Sequence, residues 1–132
     1  MRGLRVVVIG AGVVTLALTG CGDDGEGGDD ANAIEVSADE FEYSPSEWTV
    51  DAGEFSLEFT NEGGTEHEFV ILNEEIGSED AFTEDQVIDE TEAESGETVS
   101  HTFTLEEPGT YQVICAIQGH FNSGMAGTLT VE

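Results

Sequence analysis

From Cys21 to the last residue the sequence contains neither lysine nor arginine. Both basic residues, Arg2 and Arg5, precede that stretch, and 30 acidic residues bring the net charge to −28. Nothing after Cys21 can neutralise phosphate, so nucleic acid and anionic membrane surfaces are expected to be poor partners. Such a surface repels itself unless salt screens it. The excess fits either adaptation to a saline exterior or docking to a cationic redox partner. At 132 residues the chain has room for one core, which excludes a second catalytic domain, and no internal repeat is present. Cysteine occurs only twice, at positions 21 and 115.

Residues 6–18 are almost wholly apolar, follow a short start containing Arg2 and Arg5, and end in Leu18-Thr19-Gly20-Cys21. The run is too short to span a bilayer comfortably as a permanent helix and has the layout of a secretory signal. Its last four residues resemble a bacterial lipobox, after which the cysteine is acylated and becomes the first residue of the mature chain. Residues 1–20 are therefore read as a signal peptide, Cys21 as the lipidation site, and 21–33 as a lipid-anchored acidic linker. The expected location is the outer face of the cytoplasmic membrane or the cell envelope, with the anchor as the only membrane contact. The bland alternatives are an ordinary secretory signal with a chance cysteine, or an uncleaved helical anchor. Arg2 and Arg5 are not adjacent, which argues against twin-arginine export. The string Val8-Ile9-Gly10-Ala11-Gly12 has Thr15 in the third glycine position of a dinucleotide fingerprint and is signal core.

Glycine and acid dominate residues 22–33, which cannot offset their ordering entropy and read as a flexible tether. Beyond residue 34 the pattern has period two: Phe55, Leu57 and Phe59 alternate with Glu54, Ser56 and Glu58, and Val99, His101, Phe103 and Leu105 alternate with polar residues. With turns at Asp51-Ala52-Gly53, Asn61-Glu62-Gly63-Gly64 and Glu107-Pro108-Gly109, strands are predicted near 34–42, 47–51, 54–61, 66–72, 97–105, 110–116 and 126–131. These describe an all-β, Greek-key β-sandwich. The acidic stretch 73–94, whose main apolar residues are Ala81, Phe82, Val87 and Ile88, is expected to hold a short helix around 83–88, capped by Thr83, or a mobile flap.

With Cys21 committed to lipid, Cys115 is the only thiol of the mature domain and no intramolecular disulfide can form. An isolated cysteine is commonly a small buried hydrophobe, so its neighbours must decide its role. A strand ends at Cys115, a loop carries His120, and Met125 stands where the returning strand begins. One hairpin thus presents a thiolate, an imidazole and a thioether at one end of the sandwich. A second histidine, His67, opens the strand that follows the Gly63-Gly64 turn. Two histidines, a cysteine and a weak methionine are the donor set of a blue-copper centre; zinc is the main competitor, but a thioether serves it poorly. His101 falls in the inward phase of its strand and reads as a partly buried structural histidine.

The segments His67-Glu68-Phe69-Val70-Ile71 and Tyr111 to Met125, with the spacing Cys-x4-His-x4-Met, resemble the cupredoxins of the plastocyanin and azurin superfamily. The spacing is similar to that of auracyanin-like bacterial plastocyanin-like domains, whereas plastocyanins themselves have a shorter cysteine-to-histidine gap. The resemblance covers residues 34–132. It implies a cupredoxin domain holding one copper ion, Cu(I) or Cu(II), with His67, Cys115 and His120 equatorial and Met125 axial. It also implies single-electron shuttling with redox partner proteins, by a monomer, through an apolar port of Ile117, His120, Phe121 and Ala126. One departure is Glu68, where many cupredoxins have an asparagine that ties the two ligand loops together. A protonated or water-bridged carboxyl could replace that tie, or it could be absent. Two rival functions use the same residues differently: a copper carrier or scavenger, and a metal-free structural or adhesive sandwich. Three histidines are too few for the additional coppers of an oxidase, so the protein is read as a non-enzyme.

Overall fold

The computed structural model describes residues 32–132, so the expected signal peptide, the lipidation site Cys21 and the linker as far as residue 31 lie outside the described residues. The strands are β1 (Ala33–Asp39), β2 (Glu42–Ser44), β3 (Glu47–Val50), β4 (Gly53–Asn61), β5 (His67–Leu72), β6 (Val87–Ala93), β7 (Thr98–Leu105), β8 (Gly109–Ile114) and β9 (Ala126–Val131). They form a four-stranded sheet in the order β2-β1-β4-β7 and a five-stranded sheet in the order β3-β9-β8-β5-β6. The pairs β1 with β4 and β3 with β9 are parallel, and the other pairs are antiparallel.

The alternation seen in the sequence produces the core. Phe55, Leu57 and Phe59 of β4 and Phe103 and Leu105 of β7 point inward, where they meet Trp48, Phe69, Ile71, Val113 and Leu129 of the other sheet. Phe69 sits at the centre, with ring centroids 5.2 Å from Trp48, 5.8 Å from Tyr43 and 5.9 Å from Phe59. Fully burying each such side chain is worth roughly 1.5–3 kcal/mol, so the β5 backbone is strongly pinned.

β5 is buried on both faces. Its outward residues Val70 and Leu72 form a second apolar cluster with Ile76 and Ile114, against which Phe82, Val87 and Phe121 pack. The acidic stretch after β5 therefore contributes Ile76, Phe82 and Val87 to a cap on the outer face of the five-stranded sheet, while Ala81 and Ile88 stay exposed.

Two expectations about the strands change. The strand predicted at 34–42 divides, because the chain reverses after Asp39, whose carboxylate accepts the Glu40 N–H at 2.8 Å, and β2 folds back on β1 with Ala38 opposite Tyr43. The short helix expected around 83–88 is instead a pair of 3-10 turns, Glu79–Ala81 and Glu84–Gln86, followed directly by β6. Thr83 does cap the second turn, but the Gln86 side chain accepts the Thr83 N–H at 2.8 Å and donates to the Ala81 carbonyl at 3.1 Å. That closes the turn and releases Val87 and Ile88 into the edge strand.

Candidate metal centre

Antiparallel pairing of β5 with β8, Val70 opposite Ile114, sets the start of one strand against the end of the other. His67, the first residue of β5, and Cys115, just beyond β8, therefore arrive at the same pole of the sandwich. The loop that follows is closed by its own backbone: Cys115 N–H donates to the Met125 carbonyl at 3.2 Å, and Met125 N–H to the His120 carbonyl at 3.1 Å. His120 caps the 3-10 turn Phe121–Ser123, which ends at Gly124 with φ 105°, a conformation that favours glycine.

One donor atom each from His67, Cys115 and His120 lies within 4.8 Å of the others. The Cys115 Sγ stands 3.3 Å from His120 Nδ1, and the two imidazoles have centroids 5.1 Å apart. Cys115, His67 and Met125 are fully buried, and His120 is 8% exposed. His67 Nδ1 is buried without a hydrogen-bond partner. Leaving such a nitrogen unsatisfied costs about 1–3 kcal/mol, and a metal ion would use its lone pair.

The electrostatics agree. Burial pushes the Cys115 thiol up to about 11, against the opposing pull of the Glu68 N–H, which donates to Sγ at 3.4 Å. The thiol keeps its proton at neutral pH until a metal displaces it. Burial, and then proximity to His67, lowers the pKa of His120 and keeps it a neutral donor. Soft sulfur and two imidazoles at a buried pole, with Met125 buried at the returning strand, fit one type 1 copper ion.

The loop tie put in question by Glu68 is present in direct form. A Glu68 carboxyl oxygen accepts the Ala116 N–H at 3.1 Å, so the residue after His67 holds the residue after Cys115. Tyr43 adds a third strand to this junction by donating its hydroxyl to the Glu68 carbonyl. Burial, and then Glu90, raise the Glu68 carboxyl above the usual range.

Of the port residues read from the resemblance, Phe121 and Ala126 pack with the outer apolar cluster, and Ile117 packs against the main core. His101 is partly buried as expected, with Nε2 3.3 Å from Asp89 and its ring on Phe103, and takes no part in the donor cluster.

Three residues of the pole escaped the sequence reading. Phe41, 38% exposed, rests edge-on against His120 with centroids 4.9 Å apart. Glu79 grips the His120 loop: its carboxylate accepts the N–H of Gly119 at 2.8 Å and of Asn122 at 2.9 Å, while Asn122 Oδ1 accepts the Glu79 N–H at 3.1 Å. Those donors, Gly119 first, lower the Glu79 carboxyl pKa. Glu40 lies 3.0 Å from His67 Nε2, and its carboxyl is lowered to about 2, chiefly by the Gly64 N–H. Among 30 acidic residues, Glu40 and Glu79 carry no local signal, since their partners are remote in sequence.

Comparison with known proteins places these features in context. Auracyanin-B of Chloroflexus aurantiacus is 54% identical over 37 residues, a stretch that is 28% of this chain and only 16% of that relative. A solved structure of auracyanin B matches with a TM-score of 0.67 and 29% identity, covering 78% of this chain and 90% of that one. The dithionite-reduced auracyanin of the photosynthetic bacterium Roseiflexus castenholzii gives 0.64 and 27%, over 77% of this chain and 98% of that one. Auracyanin A, a blue copper protein of Chloroflexus aurantiacus, gives 0.63 and 27%, over 76% and 98%. The family model of copper binding proteins, plastocyanin/azurin family, matches residues 31–132. Since that match takes in every strand of both sheets and the whole of the donor pole, the chain belongs to the plastocyanin/azurin family of copper-binding proteins.

Proposed function

We propose that the protein carries single electrons on one type 1 copper ion, which His67, Cys115 and His120 would hold with Met125 as a weaker fourth donor. The observation that carries this reading is the buried, unpartnered Nδ1 of His67 beside a buried thiol and a second imidazole. When bound, copper supplies a one-electron Cu(II)/Cu(I) couple. The protein holds the donors in place before metal arrives: β5 and β8 fix His67 and Cys115, and the Glu68 tie limits their separation. Cys115 Sγ gives up its proton on binding, and the surrounding apolar side chains exclude water. Full burial of His67 and the closed hairpin favour retention of the metal over its delivery as cargo. The same burial of an unpartnered nitrogen disfavours a metal-free adhesive role. The protein acts in this reading as a carrier and not as an enzyme. Electrons pass through His120 beside Phe41, Ile117, Phe121 and Ala126, to and from redox partner proteins.

Visible and electron paramagnetic resonance spectra of the copper-loaded protein, compared with Cys115→Ser, test this reading. An intense blue thiolate band that vanishes in the variant is expected, and a colourless loaded wild type would refute it. The Leu18-Thr19-Gly20-Cys21 segment supports export and acylation at Cys21, with the domain tethered outside the cytoplasmic membrane. Mass spectrometry of the membrane fraction would show a lipid adduct on wild type and none on Cys21→Ser. The acidic surface suits a saline exterior, for which the urea midpoint should rise markedly from dilute buffer to molar salt. An unchanged midpoint would favour docking to a cationic partner instead.

A further inference from the structure

Four hydrogen-bond donors converge on one exposed carboxylate at the turn between β1 and β2. Glu40 Oε1 accepts the Gly64 N–H at 2.9 Å, the Thr65 N–H at 3.2 Å and the Thr65 hydroxyl at 3.2 Å, and it lies 3.0 Å from His67 Nε2. Oε2 is a further 3.2 Å from the Gly64 N–H. A carboxylate has only lone pairs to offer, so the hydrogen between Glu40 and His67 resides on Nε2. The other ring nitrogen, Nδ1, then carries the free lone pair, and it is the buried atom without a partner. The loop is shaped for this contact. At Gly63 an added Cβ would lie 2.8 Å from the Glu40 carboxyl carbon and 2.9 Å from His67 Nε2, wedging the two apart.

We propose that Glu40 is a positioning residue for His67: it fixes the Nε2–H tautomer, so that Nδ1 is presented to the metal, and it keeps one negative charge beside the site that favours Cu(II) over Cu(I). The proposal rests on the copper reading above. A neutral carbonyl at the same place would select the tautomer equally well but would add no full charge. The two effects are therefore separable. Removing the charge while keeping the acceptor alters only the balance between oxidation states, whereas removing the side chain frees the ring.

Two variants make the test. The tautomer of His67 is read from ring nitrogen and proton resonances of the metal-free protein, and copper affinity and reduction potential are read on the loaded protein. Wild type and Glu40→Gln should both show His67 as the Nε2–H form, because the amide oxygen still accepts. Glu40→Gln should stay blue but with a higher potential, the ratio of Cu(I) to Cu(II) affinity rising severalfold and up to about tenfold, where tenfold equals about 59 mV for one electron. Glu40→Ala should give mixed tautomers and about 10–100-fold weaker copper binding. An unchanged tautomer in Glu40→Ala would overturn the positioning role, and an unchanged potential in Glu40→Gln would overturn the charge effect. Should Glu40→Ala not fold, the Glu40→Gln potential and the wild-type tautomer still decide, since an Nδ1–H form in wild type is incompatible with the proposal. Failure of wild type to give a blue complex would instead count against the copper reading, and the tautomer result in metal-free protein would stand apart from it.

Discussion

His67 and His120 share one pole of the sandwich but are held there by different means. His67 opens a strand buried on both faces and is itself fully enclosed, with Phe69 two positions later at the centre of the core. His120 heads a 3-10 turn in a loop, keeps 8% of its surface exposed, and is steadied by Gly124, by Phe41 from another turn and by the Glu79 carboxylate. The position of the first imidazole is inherited from side-chain packing, and that of the second from backbone hydrogen bonds and turn geometry. A redox carrier needs both: one donor that cannot move, and one near enough to the surface to pass an electron.

The sharpest way to break this division is by stability. Phe69→Ala should cost about 3–5 kcal/mol in denaturant unfolding, since it empties the centre of the core beneath β5. Gly124→Ala, which forces an L side chain to φ 105°, should cost about 1–2 kcal/mol and should also disturb the blue spectrum. Equal costs would dissolve the distinction.

A kinetic contrast follows. Phe41→Asp or Ile117→Asp sets a charge beside His120 and should slow exchange with a redox partner by about tenfold while leaving the blue colour, because a desolvated contact penalises an unpaired charge. Ile88→Asp changes the other large hydrophobic exposed among the described residues, near the end of β6 remote from the Ala93 that pairs with His67, and should leave exchange unaffected. Equal effects at both places would remove the port from the His120 side.

The smallest expected effect concerns pH. Because the Glu79 carboxyl is lowered in the folded protein, its grip on the His120 loop is complete above the ordinary value of 4.5 and is lost as pH falls through the lower folded value. Amide protection at Gly119 and Asn122 should decline over that window in wild type, and Glu79→Gln should lack that component. His67 lies outside this effect, so parallel loss at Glu68 would mean that the whole pole loosens together.

Most of the sandwich was legible because its strands are amphipathic: Phe55, Leu57 and Phe59 between polar neighbours can only mean a half-buried strand. The donor hairpin was legible because Cys115, His120 and Met125 are close in sequence and chemically distinctive. β6 was hidden because it is an edge strand whose faces carry Asp89, Glu90 and Glu92, so alternation of burial has no matching alternation of polarity. The break between β1 and β2 was hidden because Phe41 and Tyr43 continue the look of a strand while the backbone turns. Glu40 and Glu79 were hidden for a different reason, in that their partners are supplied by tertiary structure and not by neighbouring residues.

The dense acid of β6 bears on the behaviour of the fold in company. A sandwich leaves strand margins with unpaired backbone groups, open to pairing with a second molecule. The margins at β2 and β3 are short, whereas those at β6 and β7 are long and lie side by side, bridged where Asp89 meets His101. Exposed carboxylates at Glu90 and Glu92 give the β6 margin a negative charge that opposes edge-to-edge pairing with a second copy of the same strand.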